Sequence, residues 1–198
     1  MKRWLLAAPL FTAIGASAGP FGLQQGMTLA DLQRHGSFTP AAQEFVQTTT
    51  RLAGGHPDFV SYDVLVTPGQ GVCQITALSR GIDTTADGQA LSQRFRMLAD
   101  AMAGKYGPPT NLYDHLRMGS VLHDSQVWMA GLLKRDRLLI AEWTTAEPMQ
   151  LRDALTSIRM TTSALSESRG QIEIEYRFGN YRDCQGAIRG IVNARLQL

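Results

Sequence analysis

Long apolar runs are almost missing from this 198-residue chain. Beyond its first stretch, nothing approaches the roughly 18 consecutive apolar residues that a membrane helix needs, which excludes a polytopic helical membrane protein. No extended run of lysine and arginine occurs, and acidic residues are interleaved with basic ones, so no nucleic-acid footprint is present. Cysteine is scarce: Cys73 and Cys184 are the only two, without C-x-x-C spacing or clustered histidines, which argues against a structural zinc site. An H-x-x-x-H pair and a Walker loop are both missing. Gly19, Gly22 and Gly26 are spaced G-x-x-G-x-x-x-G, with no strand pattern before them and no lysine after the last. They read as a turn leading into a helix cap and not as a phosphate cradle.

The chain opens MKRWLLAAPLFTAIGASA. Lys2 and Arg3 form a charged head, Trp4 to Ile14 a short apolar core, and Ala16-Ser17-Ala18 an A-x-A cleavage triplet. Residues 1–18 therefore read as a Sec-type signal peptide, too short for a membrane span, with residues 19–198 as one domain in the periplasm or secreted. No cysteine stands directly after the cleavage point, where Gly19 lies, so no lipid anchor and no membrane insertion are expected of the processed chain. Removing Lys2 and Arg3 from 19 basic and 17 acidic residues leaves the remainder at zero net charge. Hydrophobic residues make up 44%, enough for a packed core. In an exported protein an even cysteine count suggests a Cys73–Cys184 disulfide; two buried, unpaired thiols are the alternative.

Thr28-Leu29-Ala30-Asp31 has the form of a capping box and predicts a short helix that stops at Gly36 as a left-handed cap. A short helix is also expected near Pro40–Val46. Residues 61–67 and 72–78, joined by Pro68-Gly69-Gln70-Gly71, give the strongest hairpin signal, with Cys73, Ile75 and Ala77 on one core face. Leu91, Phe95, Leu98 and Met102 mark the apolar stripe of a helix over 87–106, ended by Gly107-Pro108-Pro109. An edge strand follows near 112–118, then a short helix carrying Val127, Trp128, Leu132 and Leu133, and a strand over 138–144. A short helix is expected over 148–155. Residues 158–165 and 171–178 read as a second hairpin, with Glu173 and Glu175 on its wet face. A helix over 180–196 ends the chain. These elements predict an α+β fold: a single, largely antiparallel sheet of five or six strands with helices packed on one face.

Gly26-Met27-Thr28, followed by Leu32 and Gly36, resembles the opening of BamE/SmpA-like small envelope domains. Lys105-Tyr106-Gly107-Pro108 is similar to the helix end of such units. The chain also resembles exported bacterial proteins with an "FGL…GM(T/S)" start, a "GLC/GVC" hairpin and a "KYG-P" helix end, a likeness that implies no particular activity. BamE-like members are typically lipoproteins, whereas this chain has no lipidation cysteine.

The remaining chemistry is sparse. Asp114-His115 and His123-Asp124 place two histidines beside two carboxylates, eight residues apart. Tyr113 and Trp128 are aromatic candidates for contact with a partner, although Trp128 also lies on an apolar helix stripe. These features predict a non-catalytic binding protein of the periplasm. Its partner would be another protein, as for an immunity or inhibitor protein or an envelope-assembly accessory, and no cofactor or nucleic acid is expected. The alternative is a hydrolase or metal-binding protein built on the Asp114–Asp124 region with His115 and His123.

Overall fold

The computed structural model describes residues 19–122, 124–145 and 150–196. Residues 1–18, on which the signal-peptide expectation falls, lie outside the described residues, as does His123. The elements run β1 (Thr39–Pro40), β2 (Val46–Thr49), β3 (Phe59–Thr67), β4 (Gly71–Ser79) and β5 (Ile82–Asp83), with a short α1 (Leu29–Leu32) before them. After the long helix α2 (Gln89–Tyr106) come β6 (Asn111–Leu116), α3 (Trp128–Leu133), β7 (Arg137–Thr144), β8 (Leu155–Ser166), β9 (Arg169–Phe178) and α4 (Tyr181–Leu196). All the strands pair antiparallel in one open sheet, ordered β1-β2-β3-β4-β9-β8-β7-β6, with β5 on the end of β9.

Among the described residues the sheet has nine strands, not five or six. The six long ones lie where the sequence pattern puts them. The other three, β1, β2 and β5, are two to four residues long, too short to show a period of two. β1 and β2 bracket the stretch that reads as a helix near Pro40–Val46, and the residues between them form turns.

One face of the sheet carries the main core. Val64, Val72, Ile75, Ala77, Ile158, Met160, Ile172, Ile174 and Phe178 pack there against Leu91, Phe95, Leu98 and Met102 of α2 and Trp128, Met129 and Leu132 of α3. The four apolar positions of α2 are all buried, as their spacing requires. Gly88, at the start of α2, has φ 68°, and a Cβ there would fall 2.1 Å from the Trp128 ring. Glycine at 88 thus allows the two helices to close on one another.

Helices do not lie on one face only. The ladder between β3 and β4 shifts register at Leu65/Val66, where Leu65 faces Gln74 and Val66 faces Val72, leaving Cys73 as the extra residue of a bulge. The bulge turns Cys73 away from Ile75 and Ala77, with which strict alternation would group it. Cys73 instead joins Leu65 and Cys184 in a second cluster, packed by Val46, Tyr181 and Ile188. α4 therefore sits on the opposite face. Cys73 and Cys184 are bonded as a disulfide, both fully buried, with Cα atoms 6.5 Å apart.

The Thr28 capping box forms as expected. The Thr28 N–H donates to Asp31 Oδ2 at 2.9 Å and the Asp31 N–H donates to Thr28 Oγ1 at 3.2 Å. The helix ends at Leu32, before Gly36. Gly36 is not left-handed; it is required because a Cβ would lie 2.6 Å from the Arg51 carbonyl oxygen. In the stretch expected to form a helix over 148–155, a single 3₁₀ turn, Arg152–Ala154, is described, and residues 146–149 lie outside the described set.

Candidate functional site

Two features stand apart from the packed core. The first is a cavity of about 270 Å³ between the N-terminal turn, α2 and β9, lined by Phe21, Phe59, Met102, Lys105, Tyr106 and Tyr176 among others. Phe21 is held at φ 55° and meets Phe59, Tyr62 and Tyr176 edge-on, with ring centroids 5.7, 4.9 and 5.6 Å away. Tyr106 and Lys105 end α2. The Tyr106 hydroxyl donates to Asp153 Oδ2 at 2.9 Å, and Lys105 Nζ lies 2.6 Å from the same oxygen.

Asp153 is the unusual member. Its side chain is only 1% exposed, and both Asp153 (φ 64°) and Ala154 (φ 59°) occupy the left-handed region that disfavours a side chain. The turn is held by hydrogen bonds from the Gly179 N–H to the Ala154 carbonyl (2.9 Å) and from the Leu151 N–H to the Leu155 carbonyl (2.7 Å). Burial, then the neighbouring Tyr176 and the Asp153 carboxylate, pushes the Tyr106 phenol well above its ordinary range. Burial pushes Tyr176 up as well, helped by Asp153 and Tyr62. Both phenols stay protonated at neutral pH and act as hydrogen-bond donors.

The second feature is the edge strand β6. One side pairs with β7 and the other carries no strand among the described residues. Tyr113 lies on it, opposite Ile140 and on the face away from the main core. Leu112 is 61% exposed and Tyr113 is 37% exposed.

In the Asp114–Asp124 region the described residues Asp114 and His115 are turned apart, and His123 lies outside the described residues. Asp114 and His115 are consecutive on a strand and so point to opposite faces. Asp114 faces the helices, 3.6 Å from Arg96 of α2 and 3.4 Å from Arg137. His115 turns the other way and meets Tyr113 edge-on at 6.0 Å. Asp124 accepts from the Gln126 N–H at 2.8 Å, a local turn bond at the start of α3's approach. Among the described residues, no group of three or more His, Cys, Asp or Glu could hold a metal. Trp128 is 8% exposed, packed in the core with Arg137 over its ring at 5.6 Å.

Sequence reasoning passed over Asp153 and Tyr176. Tyr176 reads simply as a dry-face residue of β9, and nothing in an aspartate announces a left-handed backbone. A signal for the cavity did exist: the "FGL" start and the "KYG-P" helix end supply Phe21, Lys105 and Tyr106, which the fold brings to one place. Glu173 and Glu175 lie on the wet face, as their alternation indicates. No protein-family model, no curated protein and no solved structure matches this chain.

Proposed function

We propose that this is a non-catalytic binding protein of the periplasm, which receives an extended segment of another protein along β6. The observation that carries this reading is the contrast between the two ends of the sheet. β1 is two residues long and ends in Pro40, which cannot donate a ladder bond, so that edge is blunt. β6 is six residues long, and its first five are exposed. The Arg117 N–H donates inward to the Asp136 carbonyl at 2.6 Å. Alternation then turns the N–H and C=O groups of Leu112 and Asp114 outward. A row of unpaired backbone donors and acceptors is matched by another extended chain, with Leu112 and Tyr113 offering contacts on either face. An inhibitor of an exported toxin or an accessory of envelope assembly would both use such an edge. The buried disulfide suits an oxidising compartment, and no helix among the described residues is long and apolar enough to cross a membrane.

A photo-crosslinking residue at position 113 tests this in the native compartment. A discrete adduct should form and should be lost in Leu112→Pro, which removes an outward N–H while the purified variant keeps its circular dichroism and melting temperature. An adduct of twice the chain mass would identify a second copy as the partner. An adduct unaffected by Leu112→Pro would refute strand addition.

A further inference from the structure

The aromatic cavity has no part in strand addition at β6, and its construction points to a ligand. Its walls are mainly apolar and aromatic, with Phe21, Phe59, Met102 and Ile174 in addition to the two tyrosine rings, and His56 and Lys105 also line it. Its volume of about 270 Å³ suits one ring with a short substituent. Tyr176 is 6% exposed, and its hydroxyl makes no hydrogen bond to any described residue. That oxygen is also not among the fully enclosed unpartnered atoms, and the Tyr176 side chain lines the cavity. A phenol in such a place needs an acceptor, because a buried donor without a partner is costly.

Charge narrows the chemistry. The Asp153 carboxylate already takes the Tyr106 hydroxyl and the Lys105 ammonium. An anion entering here would find the Lys105 charge already answered by Asp153, which lies outside the lining, and would lose its water in a largely apolar site. A cation would meet Lys105. A neutral molecule escapes both penalties. We propose that this cavity binds a small, neutral, ring-sized apolar molecule that carries one hydrogen-bond acceptor, such as an aryl ketone, ester or amide, and that the Tyr176 hydroxyl donates to that acceptor.

Three probes of nearly one shape separate the contributions: acetophenone (neutral, with an acceptor), ethylbenzene (neutral, without one) and benzoate (anionic). Binding is read from the Met102 methyl resonance in protein labelled at methionine methyl groups. Acetophenone should give a saturable shift and bind about tenfold more tightly than ethylbenzene, the worth of one buried hydrogen bond. Tyr176→Phe should bring acetophenone to the ethylbenzene level and leave the melting temperature nearly unchanged, since the hydroxyl holds no protein partner. Ala101→Trp, at an exposed α2 position on the cavity rim, should abolish binding of every probe without disturbing the core. Three results would overturn the proposal: no saturable shift with any probe, a preference for acetophenone that survives Tyr176→Phe, or tighter binding of benzoate than of acetophenone.

Discussion

Asp153 and Ala154 concentrate backbone strain in one turn. Two consecutive residues with side chains sit at φ 64° and 59°, where glycine would be the easy choice. Ala154 does nothing that its side chain requires, so Ala154→Gly should relieve backbone strain. The gain expected is about 0.5–1 kcal/mol after glycine's larger unfolded-state entropy is counted, read as a higher urea midpoint. Asp153→Ala should do the opposite, costing about 1–3 kcal/mol. It strips a charged acceptor from Tyr106, while the half-exposed Lys105 recovers much of its solvation. The phenols add a pH dependence. Tyr62, Tyr106 and Tyr176 are all raised above the ordinary value of 10.0, with burial the largest cause in each. A raised folded pKa means stability fully present below pH 10.0 and lost as pH rises further. Ultraviolet titration of phenolate absorbance should therefore show these tyrosines ionising together with unfolding; smooth ionisation of all five tyrosines in folded protein would contradict the burial described here. Apolar positions such as Leu91 and Phe95 were legible from spacing alone. Asp153 was not, because its role comes from contacts with residues 47 or more positions away in α2.

Among the elements, α4 is the most weakly seated. Of its 16 residues only Cys184 is fully buried. The disulfide and a small cluster hold it to the sheet. A Cys73→Ala, Cys184→Ala pair should cost about 2–5 kcal/mol in denaturant unfolding, from a closed loop of 111 residues. Amide exchange should accelerate over 181–196 well before the strands; equal exchange in α4 and β4 would show that packing alone suffices. On the same face, Glu173 is raised above 4.5 by partial burial and then by Glu175 and Asp63. A raised carboxyl opposes folding when ionised, so Glu173→Gln should stabilise the protein at neutral pH, with the difference vanishing as pH falls below 4.5. The long strands and α2 could be read from periodicity because each repeats its pattern over six residues or more. β1, β2 and β5 could not, since their pairing is imposed by neighbours. The bulge at Cys73 was hidden for a related reason: the residues on the strand do not record that one of them goes unpaired.

At the scale of the whole molecule, the export reading makes a plain prediction. N-terminal sequencing of protein recovered from the periplasm of an expressing bacterium should begin at Gly19; retention of residues 1–18 would refute cleavage at the Ala16-Ser17-Ala18 triplet. The strand order carries a consequence for how the chain assembles. Every ladder except those on the outer side of β9 joins strands consecutive in sequence. Residues 39–83 and 111–178 can each pair locally, and one seam, β4 and β5 on β9, must then be closed between residues about 101 apart, as Gln74 and Glu175 are. Cys73 and Cys184 lie beside that seam. A chain oxidised before refolding has its two halves already tethered there, and its search is short. A reduced chain must find the same register across the full separation, which is the slow step for a long-range sheet. The crosslink is then as much a matter of speed as of strength: it sets how long two half-built sheets remain with their edges open to the wrong partner.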